Sequence, residues 1–296
     1  MSTPAAKATT KATTKATTTA TTTATTADES NETTKSPTLT DSLFALLPLG
    51  IFVVALITIV AAYLAAFGNG DMDFLNGRIK TPPISMLMYL GTGKRIGQVG
   101  FSLVATLGYT CLPQFFRGVE ERIIMGDSKE KHNRTLNLLR ISIAIAFANL
   151  AIVGLLPLQA DLHLVLKKEA PISWQSIVHQ SAAGIFFLTA ILHMGSWIYF
   201  VTRACSDRLP FHYKNSPRSF YFKMMCLVLC FLPLPAAMLL HPISPLRKKL
   251  AFSKADAGGI TQYALVACVS SFFASYSCEL WAMAHHPPKP PGKEKL

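Results

Sequence analysis

The stretch VHQSAAGIFFLTAILHMGSWIYFV, residues 178 to 201, decides the fold. It contains no Asp, Glu, Lys or Arg, and its histidines, His179 and His193, are embedded in an otherwise apolar run. A transmembrane helix needs roughly 20 mostly apolar residues, because each adds about 1.5 Å against a hydrocarbon core about 30 Å thick. This run is long enough to cross a bilayer.

Five more runs share the pattern. The six expected spans are Leu43 to Phe67, Ile96 to Phe116, Leu136 to Leu158, Ile177 to Val201, Phe220 to Leu240 and Ile260 to Met283. Short polar segments connect them. In lipid the backbone must satisfy its own hydrogen bonds, so apolar runs of this length predict an all-α, six-transmembrane-helix bundle rather than the strands of a barrel. A large soluble all-α protein would not need so many runs of this length. The domain reading has three parts: residues 1–42 as a low-complexity tail, 43–283 as the transmembrane domain, and 284–296 as a basic, Pro-rich tail.

The chain has 296 residues and a formal net charge of +12. That charge does not indicate nucleic acid, because the basic residues are spread over every loop without an aromatic or Gly-rich RNA-binding motif. It reports topology instead. Both tails, the second and fourth loops and the adjoining Arg140 and Lys223 hold 18 Lys and Arg, against 10 in the first, third and fifth loops. Both termini are therefore expected on the cytosolic side. None of the six cysteines falls in a loop on the opposite, oxidising side, so no disulfide framework is expected. Cys205, just past the fourth span, is read as an inert thiol, with palmitoylation as the alternative.

Residues 7 to 26 are five four-residue units, KATT three times and TATT twice. No large apolar side chain recurs there, so the tail is expected to be disordered. On the luminal side such a run would read as a glycosylated stalk, and the sequons at Asn31 and Asn133 discriminate, both falling on the expected cytosolic side. The first apolar run is of full transmembrane length and is read as a retained anchor. The ending GKEKL resembles a dilysine retrieval tail with its lysines one position late, and is read as a solvated basic end.

Helices in lipid associate through close packing of small residues and interhelical hydrogen bonds. Gly97, Gly100 and Gly108, then Ala182, Ala183 and Gly184, then Ser270, Ser271, Ala274 and Ser275 are the expected seams. Pro233 and Pro235 free two carbonyls, so the fifth span is expected to kink where protein or a cavity can satisfy them. Arg140, Lys223 and Glu279 fall near the cytosolic interface and are expected to snorkel. His179 and His193 are 14 residues apart, on one helix face but about 21 Å apart along it, so they cannot share one metal ion. No HxxxH, HExxH, CxxC or GxSxG pattern is present, so no metal site, cofactor or nucleophile elbow is expected.

The segment TPPISMLMYLGTGKRIGQ in the first loop, with Pro83, Ser85, Gly91 and Arg95, is similar to a luminal pattern of the FRAG/DRAM/Sfk superfamily. VHQSAAGIFF, with His179, Ala182, Gly184, Phe186 and Phe187, matches that family's opening of the fourth span, SPRSFYFK its approach to the fifth, and TQYALVACVSSFFASY the start of the sixth. The resemblance covers residues 43 to 283. The superfamily includes the CWH-type N-terminal domain, the Golgi factor that acts on GPI-anchor lipid, and the damage-regulated autophagy modulators. Gln262 stands where the family commonly has an acidic residue, so a role requiring a carboxylate there does not carry over.

The resemblance implies a multipass protein of Golgi or ER membranes with a luminal-side pocket for a lipid or glycolipid. The candidate lining residues are Ser85, Arg95, His179, Gln180, Gln262 and Tyr263. No nucleophile–base pair is legible, so an accessory or lipid-presenting role is expected rather than catalysis. A second reading is a regulatory protein of lysosome or plasma membrane that acts through other membrane proteins. A transporter would call for inverted repeats or paired broken helices, and only the fifth span is clearly broken.

Overall fold

The computed structural model describes residues 39–69, 81–88, 91–123, 129–158, 173–204, 217–232 and 254–285. The Thr-rich tail, the Pro233–Pro235 kink, Cys205 and the C-terminal tail lie outside the described residues, as do the expectations made for them. Among the described residues the elements are α1 (Leu39–Gly68), α2 (Ile84–Leu87), α3 (Gly91–Ile123), α4 (Lys129–Leu155), α5 (Trp174–Tyr199), α6 (Pro217–Phe231), α7 (Lys254–Ala274) and α8 (Tyr276–His285). A π-helical segment, Phe200–Ala204, continues α5, and no strand occurs among the described residues.

Among the described residues, five segments are long and apolar enough to cross a membrane: Ser42–Gly68, Gly91–Pro113, Asn133–Leu155, Trp174–Thr202 and Gly258–Ala282. The expected span at Phe220–Leu240 is described only as far as Leu232, where α6 has just ended. Apolar residues surround these helices on all sides. On α1, Ala45, Ile51, Ala55, Thr58, Ala62 and Ala66 form a buried stripe, while Val53, Leu56, Ile57, Val60 and Leu64 are exposed. Exposed leucines and valines around a helix with a small-residue seam suit a helix bathed in acyl chains.

The helix ends depart from the hydropathy pattern for identifiable reasons. α3 runs past Phe116 to Ile123 because hydropathy marks the part in lipid, whereas Glu and Arg continue a helix beyond it. α4 stops at Leu155 rather than Leu158, since Pro157 drives the preceding residue out of the helical region. The expected sixth span is broken at Ser275, whose hydroxyl donates to the Phe272 carbonyl at 2.6 Å while the Cys278 amide donates to the Ser275 carbonyl. A serine hydroxyl competing for backbone acceptors commonly bends a helix.

Packing follows the small residues in part. A Cβ on Gly100 would collide with Thr58 of α1, and one on Gly108 with the Phe147 ring of α4. At Gly154 the α4 backbone closes on Ser102 of α3. Gly184 is the exception: nothing lies within 4 Å of its Cβ position, so this expected seam residue faces outward while Ala182 packs inward.

The N-terminal ends of α3, α5 and α7 lie at one end of the bundle. There Gln98 of α3 donates to the Leu155 carbonyl, Gln175 of α5 to the Pro157 carbonyl, and Gln262 of α7 meets Ser85, next to the start of α3. At the opposite end Phe115, Trp197 and Tyr276 form an aromatic plug with ring centroids 4.4 to 5.2 Å apart. Such offset and edge contacts add about 0.5–1.5 kcal/mol per pair.

Candidate functional site

The end of α4 leaves carbonyls that its own helix cannot satisfy, a costly state at membrane depth. His179 answers this: its Nδ1–H donates to the Leu156 carbonyl at 2.7 Å, beside the Gln98 and Gln175 contacts. The ring is buried at 1% exposure. His179 therefore ties α5 to the end of α4.

The same imidazole lines a cavity with Ser85 and Gln262 at its polar end and Phe101, Val104, Phe186, Phe187 and Val266 along its walls. It offers ≈ 80 Å³ of room to the centres of water-sized groups. A second cavity of ≈ 60 Å³ shares Ala55, Val104, Leu150, Phe186, Val269 and Ser270 with it and ends against Phe115, Phe273 and Tyr276. One water needs about 10–15 Å³, so the first cavity holds roughly five to eight groups of that size and the second roughly four to six. Two adjoining apolar cavities, together the shaft, thus lie behind a polar mouth.

The mouth is held by the piece of the first loop that precedes α3. The Ser85 amide donates to Gln262 Oε1 at 3.4 Å, and Gln262 Nε2 donates to the Ser85 hydroxyl at 3.5 Å. A carboxylate would accept from both the amide and the hydroxyl of Ser85, whereas Gln262 accepts one bond and donates the other. Gly259 permits the approach, because a Cβ there would collide with the Thr81 carbonyl oxygen.

Ser85, His179 and Gln262 are thus brought to one cavity. Tyr263 turns instead toward Tyr63 and Leu87, with its hydroxyl buried and unpaired among the described residues. Gln180 and Arg95 are exposed and line neither cavity. No group of three metal-ligating side chains occurs among the described residues.

His193 is fully buried and satisfied. Its Nδ1 faces the Leu139 carbonyl at 3.1 Å and the Ser142 hydroxyl at 3.2 Å, while Nε2 lies 2.9 Å from the Tyr276 hydroxyl. A carbonyl can only accept, so the neutral ring carries its proton on Nδ1 and accepts from Tyr276 at Nε2. The imidazole thereby joins α4, α5 and α8.

Lys223 and Glu279 do not snorkel. Lys223 of α6 is fully buried and meets Glu279 of α8 at 2.5 Å, with the Ser219 hydroxyl 3.3 Å from each partner and the Tyr276 ring 4.9 Å from the ammonium. Nearness to a helix end suggested the interface, but an ion pair between residues 56 apart has no local signature.

Among the described residues, an all-helical bundle with five membrane-length helices and an apolar interior cavity defines an integral membrane protein. The chain belongs to the Frag1/DRAM/Sfk1/Cwh43P N-terminal domain family, whose model matches residues 43–283. A search of curated proteins and a search of solved structures each found no match.

Proposed function

We propose that this protein binds or presents a lipid or glycolipid, taking the polar group at the Ser85–His179–Gln262 mouth and an acyl segment in the shaft. One observation carries the reading: a cavity with polar groups at one end and almost purely apolar walls beyond it. Ligand sites commonly combine an apolar lining with a few placed polar groups. The mouth holds hydrogen-bonding groups and no carboxylate among its described lining residues, which favours holding a head group over cleaving it.

The chain crosses the membrane six times with both ends in the cytosol, and the mouth opens to the lumen. The charge bias supports this. So do the described helices: α5 ends beside the aromatic plug, whereas α7 begins at the mouth, at the other end of the bundle. Resemblance to the GPI-remodelling branch favours GPI-anchor lipid maturation in Golgi or ER. The alternative is the regulatory role of the autophagy-modulator branch at lysosome or plasma membrane.

Binding is tested by native mass spectrometry of the purified chain with a GPI-type glycolipid. Asn places an amide donor where His179 Nδ1 stands, so His179→Asn should preserve the bond to Leu156 and the fold while lowering lipid occupancy several-fold. Unchanged occupancy would remove the mouth from the site. In cells, loss of the protein should change GPI-protein surface levels or their lipid composition; no change in either sinks the GPI assignment.

A further inference from the structure

At the end of the bundle away from the mouth, α1, α6, α7 and α8 leave an open groove of ≈ 470 Å³, within the range of ligand clefts, about 300–1,000 Å³. Its sides are apolar: Leu49 and Phe52 of α1 face Phe222 of α6, and both Leu49 and Phe222 are also exposed on the outer surface. Ser219 and Arg218 close the charged end, and Ser271 and Cys278 line the wall opposite.

Arg218 is the one charged side chain among the groove's described lining residues, and it makes no ion pair among the described residues. The neighbouring charges, Lys223 and Glu279, neutralise each other behind Ser219. Among its described lining residues the groove therefore offers a single positive charge, Arg218, beside an apolar cleft. A guanidinium binds phosphate oxygens in a bidentate fork.

We infer that this groove is a second lipid site, one that holds an anionic phospholipid with its phosphate at Arg218 and its first acyl methylenes between Leu49, Phe52 and Phe222. Charge selects the occupant: a zwitterionic lipid brings its own ammonium to the site, whereas phosphatidylserine brings a net negative charge. Ser219 connects the site to the buried ion pair, so an occupied groove bears on the packing of α6 against α8.

The test uses the full chain in phosphatidylcholine vesicles that carry a minor fraction of photoactivatable phosphatidylserine or, in parallel, photoactivatable phosphatidylcholine on both leaflets. Symmetric vesicles make the result independent of membrane orientation, and Gln180→Ala, an exposed change at the far end that lines neither cavity, should leave it unchanged. Cross-links should concentrate on the peptides containing Leu49–Phe52, Ser219–Phe222 and Cys278, with about tenfold preference for phosphatidylserine, the scale of one charge-assisted contact. Arg218→Gln, an exposed change that leaves the core intact, should abolish the preference; Arg218→Lys should keep part of it. Equal labelling by the two probes, or a preference that survives Arg218→Gln, overturns the proposal.

Discussion

His179 and His193 show how similar surroundings in sequence separate in three dimensions. Both are buried on one face of α5, but His193 spends both ring nitrogens on protein partners, whereas His179 spends Nδ1 on α4 and also borders the cavity. His193→Ala strands the Tyr276 hydroxyl in the interior, while the Ser142 hydroxyl keeps its bond to the Leu139 carbonyl. Each buried group left unsatisfied costs about 1–3 kcal/mol, so thermal unfolding in detergent should show a clear loss of stability. The Lys223–Glu279 pair predicts more. Removing one partner, as in Lys223→Ala, should destabilise by about 3–5 kcal/mol, while Lys223→Met combined with Glu279→Leu should recover most of that loss. A double-mutant cycle by chemical denaturation in micelles measures both; if the double variant is as unstable as the single, the pair is not the interaction that matters.

At the scale of the helices, the glycine positions divide. Gly100→Leu should disrupt α1–α3 packing, because its first carbon would already meet Thr58, whereas Gly184→Ala faces open space and should be neutral or slightly stabilising. Folded yield after detergent extraction distinguishes them. Gly259→Val should push the Thr81 carbonyl away, loosen the Ser85–Gln262 tie and lower lipid occupancy as Gln262→Ala does.

The existence of these helices was readable because membrane-length apolar runs permit few other structures. Their ends were not. The helical residues beyond Phe116 carry charge, and the break at Ser275 comes from a hydroxyl choosing a nearby carbonyl, with no Pro or Gly to mark it. The candidate site was partly readable for a related reason. His179 and Gln262 are polar residues at the ends of apolar runs, which marks them, but the period of a helix does not say which neighbour a side chain meets. Gln180, one residue from His179, faces outward.

For the whole molecule, the proposed orientation can be checked at Asn133, an exposed sequon at the start of the Asn133–Leu155 span. With this end in the cytosol, the protein expressed in eukaryotic cells should show no shift on endoglycosidase digestion that depends on Asn133. A sequon engineered into residues 159–172 should acquire glycan. The reverse pattern would invert the molecule and place the mouth against the cytosol.

The bond from the Leu49 amide to the Ser277 hydroxyl joins residues 228 apart, near the two ends of the bundle's sequence. A ribosome delivers α1 to the translocon long before Ser277 exists, so this closure belongs to the last moments of biogenesis. Until then the first helix lacks its final neighbour, and quality-control machinery has a way to distinguish finished from unfinished chains. Ser277→Ala, which removes this bond and leaves the Gly258–Ala282 span whole, should therefore shorten the lifetime of the full chain in a pulse-chase measurement.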